Sequence, residues 1–534
     1  MKSFACLIAV LLPLSFSALA DQGHHHHEEM TAEQLGTVHF PVSCAPSVQM
    51  RFERGVALLH SFWYEEATKQ FEQVAKDDPQ CAMAHWGVAI SLWHQLWDNP
   101  DKATIKRGLA EIKKTKSLHP KTDREREYIS ATEAFYSNSK KRDHDAGADA
   151  YTRAMEQMYQ RYPDDREAAA FYALSLLASE PHHDSTFANR KKAGAVLEKL
   201  FEDEPNHPGV AHYLIHTYDK PQLAEQGLSA ARSYAKIAPA SPHALHMPSH
   251  IFARLGLWQD DIDSNLASIA ASRKTAAMHM GGAGHQYHAM DFLVYAYLQS
   301  GREADAQRVY EEVKTLPSSK EYGFDPHAYA LARFPAIYAL ELHHWTEAAA
   351  LTPVPDTELG DNAITYWARA IGAARGGNAA EARKNVADLE SIHRQLLAKK
   401  KKAFAEVVDQ DRKEAEAWVA HAEGKDDEAV KTLRALAEKE ESTGEEPEGI
   451  PAREMLADLL LDLKRPDQAL AEYETDLKFN PNRFDGLYGA ARAAEMAGKS
   501  KEASTYYAQL VKVCDGANSD RPELSRAKAL LAKN

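Results

Sequence analysis

Histidine is the residue type whose number and spacing in this sequence could support chemistry. The chain has 26 histidines, and nine of them fall between His207 and His288. Most of these nine lie in three short stretches: His207, His212 and His216, then His243, His246 and His250, then His285 and His288. Neutral imidazole is the commonest protein ligand for zinc, and it also suits copper and nickel. The clustering therefore favours a transition-metal site, with zinc and copper as the expected ions.

Helix geometry indicates which of these side chains could act together. Residues three or four apart share one face of a helix, so His212 and His216 point in one direction, as do His288 and Asp291. For the third stretch we expect the helix to begin at Pro248, which leaves His246 in the preceding turn and makes its pairing with His250 less direct.

Four histidines also recur at nearly constant intervals. His182, His216, His250 and His285 are separated by 34, 34 and 35 residues. If each interval is one structural repeat, these side chains form a column along one surface. Together with the pairs above, the column predicts the following metal ligands: His182, His212, His216, His246, His250, His285, His288 and Asp291.

Catalysis has weaker support in the sequence. A catalytic zinc takes three protein ligands and an open position, normally with a carboxylate base nearby. The chain lacks His-Glu-x-x-His, and the three histidine stretches contain no glutamate. A metallohydrolase built on His212, His216, His250, His288 and Asp291 is therefore the third hypothesis. No catalytic residue is assigned, and binding is favoured over enzyme activity.

The elements that must position the histidines follow a helical repeat. Residues 51 to 79 carry Gly55, Ala67, Phe71 and Pro79 at the spacing of a tetratricopeptide (TPR) unit. Near the C-terminus Ala469 and Tyr473 recur 34 residues later as Ala503 and Tyr507. These patterns predict an all-α, right-handed TPR-type superhelix of about ten helix-turn-helix units. The histidine stretches fall on the first helices of their repeats, which line the concave groove of such superhelices.

The chain divides by pattern into four segments. Residues 1–20 read as a secretory signal peptide with a basic start, an apolar stretch and cleavage after Ala20, which predicts a periplasmic or secreted protein. Residues 21–47 read as an extended leader containing His24 to His27, interpreted as a native metal-scavenging tract or a disordered spacer. Residues 48–395 form the N-terminal and central superhelix, and residues 396–534 form the C-terminal repeats.

Three cysteines follow the signal peptide: Cys44, Cys81 and Cys514. In an oxidising compartment Cys44 and Cys81 could form a disulfide, since each precedes the first helix of successive repeats. Two free thiols or a pair of soft metal ligands remain as alternatives at this point.

Charge excludes some classes of partner. The formal net charge is −15, whereas nucleic acids and anionic lipid surfaces recruit basic patches. Beyond the signal peptide, no apolar stretch is long enough for a membrane span. A protein or peptide segment in the concave groove is the expected partner.

Four phrases resemble a known family. They begin at Gly55 (Gly-Val-Ala-Leu-Leu-His-Ser-Phe-Trp-Tyr), Asp78 (Asp-Pro-Gln-Cys-Ala-Met-Ala-His-Trp-Gly), His207 (His-Pro-Gly-Val-Ala-His-Tyr-Leu-Ile-His) and His243 (His-Ala-Leu-His-Met-Pro-Ser-His-Ile-Phe). Over roughly residues 40 to 350 the chain is similar to a widespread bacterial family of exported TPR proteins. The resemblance implies export, the repeat fold and a histidine-rich groove as a family feature, and it implies no particular activity.

Three functions are therefore carried forward. The leading one is an exported TPR scaffold that binds a protein or peptide partner in its groove, with a histidine-lined metal site. The second is a periplasmic zinc- or copper-handling protein. The metallohydrolase is third.

Overall fold

Packing between small and aromatic residues forms the helix pairs of this protein. A Cβ added to Gly87 would lie 2.3 Å from the ring of Phe71, and one added to Gly55 would lie 2.8 Å from the same ring. Gly489 meets Tyr473 in the same way, at 2.2 Å. An aromatic ring on the second helix of a unit thus fills the space that glycine leaves on neighbouring first helices, as ridges-into-grooves packing requires. This is the physical basis of the repeat seen in the sequence.

The computed structural model describes residues 32–96, 99–139, 144–281, 283–318, 325–444, 449–517 and 519–532. The predicted signal peptide and His24 to His27 lie outside these ranges. The N-terminal helices are α1 Ala32–Leu35, α2 Gln49–His60, α3 Tyr64–Asp77, α4 Ala82–Ser91, α5 Lys102–Ser117, α6 Asp123–Ser139, α7 His144–Arg161, α8 Arg166–Ala178 and α9 Ala188–Asp203. The central helices are α10 Pro208–Tyr218, α11 Ala224–Ile237, α12 Pro242–His246, α13 Pro248–Arg254, α14 Trp258–Ala277, α15 Ala283–Gln299, α16 Glu303–Val313, α17 Pro326–Glu341 and α18 Trp345–Ala349.

The C-terminal helices are α19 Ala363–Arg375, α20 Ala379–Ala398, α21 Lys402–Ala422, α22 Asp426–Thr443, α23 Ala452–Asp462, α24 Pro466–Phe479, α25 Phe484–Met496, α26 Ser500–Val513 and α27 Pro522–Leu531. With α12 and α13 counted as one first helix, the described helices form twelve consecutive pairs from α2/α3 to α25/α26, and α27 follows them. The described residues contain no β-strand. The all-α TPR-type superhelix is confirmed, with two more units than the sequence predicted. Among the described helices, none has the combination of length and apolar composition that a membrane span requires.

The N-terminal segment before α2 is part of the core. Phe40 is fully buried, with ring-centroid distances of 5.4 Å to Phe52, 5.4 Å to Trp86 and 4.9 Å to Tyr128. A disulfide joins Cys44 to Cys81, with 4.8 Å between their Cα atoms. The part of the predicted leader that the structure describes therefore packs against the first repeats.

The superhelix closes on itself at the first repeat. The α2 helix packs against α10, four repeats later, because Gly209 leaves room for the ring of His60. The indole nitrogen of Trp63, just after α2, donates to the carbonyl oxygen of Met280 at 2.9 Å. The inner surface near the histidine stretches, which the sequence had placed in a concave groove, is therefore covered by the first repeat.

The C-terminal repeats pack back onto the central ones. Trp258 Nε1 donates to the carbonyl oxygen of Asn482 at 2.8 Å, and the buried guanidinium of Arg483 pairs with Glu341 at 3.0 Å and with Glu454 at 2.8 Å. A second hydrophobic core runs without a break from Trp258 to Ala527. It crosses the domain boundary predicted at 395/396, which remains a prediction.

Candidate metal centre

Three helical segments bring the histidines together. His212 and His216 lie on α10, which His207 caps by accepting the N–H of Val210 at its Nδ1, 3.2 Å away. His285 and His288 lie on α15. The third segment is α12–α13, and it carries the remaining three histidines of the cluster, His243, His246 and His250.

Helices α12 and α13 form one nearly continuous rod. Pro248 lacks an N–H and interrupts the hydrogen-bond ladder, but Met247 before it keeps helical angles, with φ −51° and ψ −35°. His243, His246 and His250 therefore sit at positions i, i+3 and i+7 of one helical face. A helix does begin at Pro248, as expected, but His246 ends the preceding helix and does not lie in a turn, because Met247 keeps helical angles between the two.

We call His212, His216 and His243 the inner set. One nitrogen from each lies within 4.8 Å of the other two. The Nδ1–H of His212 donates to the carbonyl oxygen of His60 at 2.6 Å, so the Nε2 lone pair of His212 faces the set. That Nε2 lies 3.0 Å from Nε2 of His243. The Nε2 of His216 is buried and has no hydrogen-bond partner among the described residues.

We call His246, His250 and His288 the outer set, and it meets the same distance criterion. The Nδ1–H of His246 donates to Asn265 Oδ1 at 2.7 Å, and the amide of Asn265 is itself oriented by Asp261. The Nε2 atoms of His246 and His250 lie 3.1 Å apart.

A carboxylate orients the second histidine of the outer set. The Nδ1–H of His250 donates to Asp219 Oδ2 at 2.9 Å, and Arg254 Nε donates to the other oxygen of Asp219 at 2.9 Å. A carboxylate or amide that holds the far ring nitrogen is the usual support of a metal-binding histidine. Asp219 and Asn265 provide this support for His250 and His246.

The nitrogen separations suit a metal ion. Two Zn–N bonds of about 2.0–2.1 Å at a tetrahedral angle would separate their nitrogens by about 3.3 Å. The pairs at 3.0 and 3.1 Å are close to this value. In each set the nitrogen of a third imidazole lies within 4.8 Å of the other two, which leaves a fourth position for another ligand. The residues present therefore fit a transition metal.

Burial favours the uncharged form of several of these imidazoles, which is the form that can bind a metal. Burial lowers the pKa of His212 to about 3 and that of His285 to about 4. Burial, followed by repulsion among neighbouring imidazoles, also lowers the pKa values of His216, His243 and His246. Uncharged imidazoles can bind a cation without first losing a proton.

Exposure differs between the two sets. His212, His243 and His246 are buried, whereas His288 keeps exposed surface although protein groups crowd its ring. The ring of Phe62 stacks over the inner set at centroid distances of 5.6 Å to His216 and 5.7 Å to His243. The outer set therefore reaches exposed surface at His288, whereas the inner set is covered by Phe62.

The structure does not bring every predicted ligand into a set. His182 is exposed in the turn after α8. His285 lies beside the inner set, 5.2 Å from His243 between ring centroids, but belongs to neither group of three. Both oxygens of Asp291 lie 2.8 Å from Arg333 Nε, so this carboxylate is held in an ion pair.

Sequence reasoning did not assign several groups that shape the centre. His243 could have been found, because it shares the face of His246 and His250 once α12–α13 is treated as one rod. Asn265, the His60 carbonyl and Phe62 could not, since they reach the histidines through contacts between distant repeats.

A third cluster, His60, Glu167 and His207, lies below the inner set. Glu167 accepts from His60 Nε2 at 2.8 Å and from His207 Nε2 at 3.0 Å, while His60 Nδ1 bonds the Tyr213 hydroxyl at 2.8 Å. Burial opposes the charge of Glu167, but attraction to the two rings and their hydrogen bonds hold its pKa below its usual range. Every ring nitrogen here already has a partner. The cluster therefore fixes α2 against α8 and α10 and places the His60 carbonyl beneath His212.

Comparison with known proteins gives limited similarity. No protein-family model matches this chain, and no curated protein matches its sequence. Among solved structures, a human IFIT1 dimer with PPP-AAAA is 13% identical, with 81% of this chain and 91% of that chain covered and a TM-score of 0.35. The APC/C hetero-tetramer Cut9-Hcn1 is 13% identical, with 91% and 89% covered and a TM-score of 0.31. These scores are too low to carry an argument, and the TPR-type fold rests on the twelve helix pairs of the chain itself.

Proposed function

We propose that this protein is an exported transition-metal-binding protein whose TPR-type scaffold frames a histidine centre for copper or zinc. The observation that carries the proposal is the facing pair His246 and His250. Both rings have their Nδ1 hydrogens committed, to Asn265 and Asp219, and their Nε2 lone pairs meet at 3.1 Å. Two lone pairs at this distance repel each other unless a proton or a metal ion lies between them.

Export is part of this proposal. It is supported by the signal-peptide pattern of residues 1–20 and by the Cys44–Cys81 disulfide, a bond typical of oxidising compartments. Metal handling at the cell exterior would suit both features.

A hydrolytic role has less support than binding. The two nearby carboxylates, Asp219 and Asp291, are each paired with a guanidinium, so neither is placed as a general base. Within the described part of the centre, no glutamate bonds to a ring of either set.

The test is metal analysis of the mature chain with His24 to His27 replaced by serine, purified without a nickel column. We expect at least one equivalent of copper or zinc per chain. The double variant His246→Ala and His250→Ala should lose this metal. The matched control is His182→Ala, which removes an exposed histidine outside both sets and should keep the metal. A metal-free protein that also fails to take up added copper or zinc would refute the proposal.

Partner binding is the second candidate function. It is supported by the repeat architecture, which offers extended surfaces, and by the exposed side chains of Leu397 and Phe404, 48% and 59% accessible. These residues flank the turn between α20 and α21. A photo-crosslinking residue at position 404 should give one defined protein adduct in cells that express the chain. If a crosslinking residue at the exposed polar position of Glu438 gives the same adducts, partner binding at this surface is contradicted.

A further inference from the structure

The inner and outer sets lie next to each other in the structure. Ring centroids across the two sets are 6.4 Å apart for His216 and His250, and 6.3 Å apart for His243 and His246. Within the inner set, His216 and His243 are separated by the same 6.3 Å. Both sets also draw ligands from the α12–α13 rod. Two ions bound here would therefore lie next to each other, without a protein layer between them.

We propose that the two sets form a single binuclear copper centre that binds dioxygen between its ions; this rests on the proposed metal-binding function. Each copper would take three imidazoles and keep one position directed toward the other ion. Imidazole is a good ligand for copper, and the two sets supply six.

Charge favours monovalent copper here. The six imidazoles supply no negative charge, and the carboxylates of Asp219 and Asp291 are already offset by Arg254 and Arg333. Two divalent ions would bring four positive charges into a site with no unpaired acid among its described neighbours, whereas two copper(I) ions bring two. Because uncompensated buried charge is costly, the reduced pair is the better fit.

The surroundings also suit a small, uncharged ligand. One phenylalanine ring packs against the imidazoles of each set. Phe62 stacks over His216 and His243, while Phe292 lies 5.0 Å from His246 and 4.7 Å from His250 between ring centroids. His288 keeps exposed surface, and a neutral diatomic molecule that approaches there would lose no strong hydration.

The binding step balances without further reactants. Each copper(I) gives one electron to dioxygen, so two copper(II) ions and one bridging peroxide form, and the O–O bond is reduced from a double to a single bond. No proton is taken up. The total charge of the two ions and their bridge stays at two positive charges, so the protein environment need not compensate a new charge. Release of dioxygen reverses each transfer.

The experiment loads the full mature chain, with His24 to His27 replaced by serine, with copper(I) under anaerobic conditions. We expect two coppers per chain, uptake of one dioxygen per two coppers, and a near-ultraviolet peroxide-to-copper charge-transfer band. The oxygenated protein should have no electron paramagnetic resonance signal, because the two copper(II) spins couple through the bridge. Two coppers that give a full copper(II) signal after oxygenation, or that take up no dioxygen, would overturn the proposal.

Two variants test whether both sets are needed. His216→Ala removes an inner ligand, and His288→Ala removes an outer ligand whose exposed position should tolerate the change. Each should lose dioxygen uptake, bind one copper, and show a copper(II) signal after chemical oxidation. Uptake retained by a folded His288→Ala protein would contradict a shared centre. His182→Ala is the matched control and should behave like the parent chain.

The two proposals can fail separately. A chain that binds neither copper nor zinc refutes the metal-binding function and this inference with it. A chain that binds one copper, or two coppers that oxidise independently, refutes only the binuclear centre.

Discussion

The Nε2 atoms of His246 and His250 face each other at 3.1 Å although the two residues lie on opposite sides of Pro248 in the chain. The contact exists because Met247 keeps α12 and α13 in one direction, and because Asn265 and Asp219 hold the far sides of the two rings. The orientation of these two imidazoles thus depends on α14 and the end of α10 as much as on the helices that carry the histidines.

The first prediction concerns Asp219. Its carboxylate accepts from His250 Nδ1 and raises the basicity of the opposite nitrogen, so Asp219→Asn should weaken copper or zinc binding by about 10–100-fold. Competition with a chelator of known affinity measures the change. Asp291→Asn is the control, since Asp291 is paired with Arg333 and supports no histidine of either set. Equal losses in both variants would contradict an orienting role for Asp219.

The second prediction concerns pH and stability. Burial of Glu440, together with the nearby carboxylate of Asp476, raises the Glu440 pKa from 4.5 to about 8. The folded chain therefore holds a proton that the unfolded chain releases above pH 4.5. Because of the Glu440 carboxyl, the free energy of unfolding should fall as pH rises from about 5 to 8, by at most about 1.4 kcal/mol per pH unit.

Urea unfolding at several pH values checks this dependence. Glu440→Gln mimics the protonated side chain and should flatten it, while Glu438→Gln, at an exposed position on the same helix, should leave it unchanged. A slope that Glu440→Gln does not alter would show that other groups are responsible.

Local packing explains how much of the fold the sequence could predict. The repeat was readable because Gly55, Gly87 and Phe71 interact within adjacent units, where spacing along the chain determines spacing in the molecule. The unit count was less accurate, since units such as α17/α18 depart from the consensus. The same local logic placed His212 and His216 on one helical face.

Contacts between distant repeats explain what the sequence missed. His182 has the repeat interval but lies in the turn after α8, because α8 ends before it. The His60 carbonyl meets His212 across 152 positions of the chain, and this contact depends on closure of the superhelix. The spacing of residues along the chain does not predict which distant repeats come into contact.

The third prediction concerns the Cys44–Cys81 disulfide. The bond closes a loop across 37 positions and ties the segment that buries Phe40 to the second repeat. Removing it with the double variant Cys44→Ser and Cys81→Ser should lower the free energy of unfolding by about 2–4 kcal/mol. Urea unfolding with and without reductant measures this. Cys514→Ser should keep the full sensitivity to reductant, since Cys514 is a buried free cysteine outside the disulfide. A parent chain equally stable in both conditions would contradict the prediction.

The last prediction concerns Phe62, which covers the inner set from the turn between α2 and α3. Its backbone has φ +53°, a left-handed conformation that is unfavourable for a bulky residue, and its side chain is 1% exposed. The closed superhelix maintains this strained position because Trp63 is fixed to Met280 and His60 to Tyr213. Phe62→Ala should cost about 3–5 kcal/mol of stability and open a path to His216 and His243. Release of bound metal to a chelator should then be faster than from the parent chain.

Phe62→Leu separates access from stability, because it retains most of the buried volume and should slow release relative to Phe62→Ala. Phe404→Ala, which truncates an exposed phenylalanine on α21, should leave release unchanged. If Phe62→Ala remains folded and releases metal at the parent rate, the inner set is not shielded by this ring. In that case, exchange would proceed entirely through the exposed side of His288, and the outer set alone would control access to both ions.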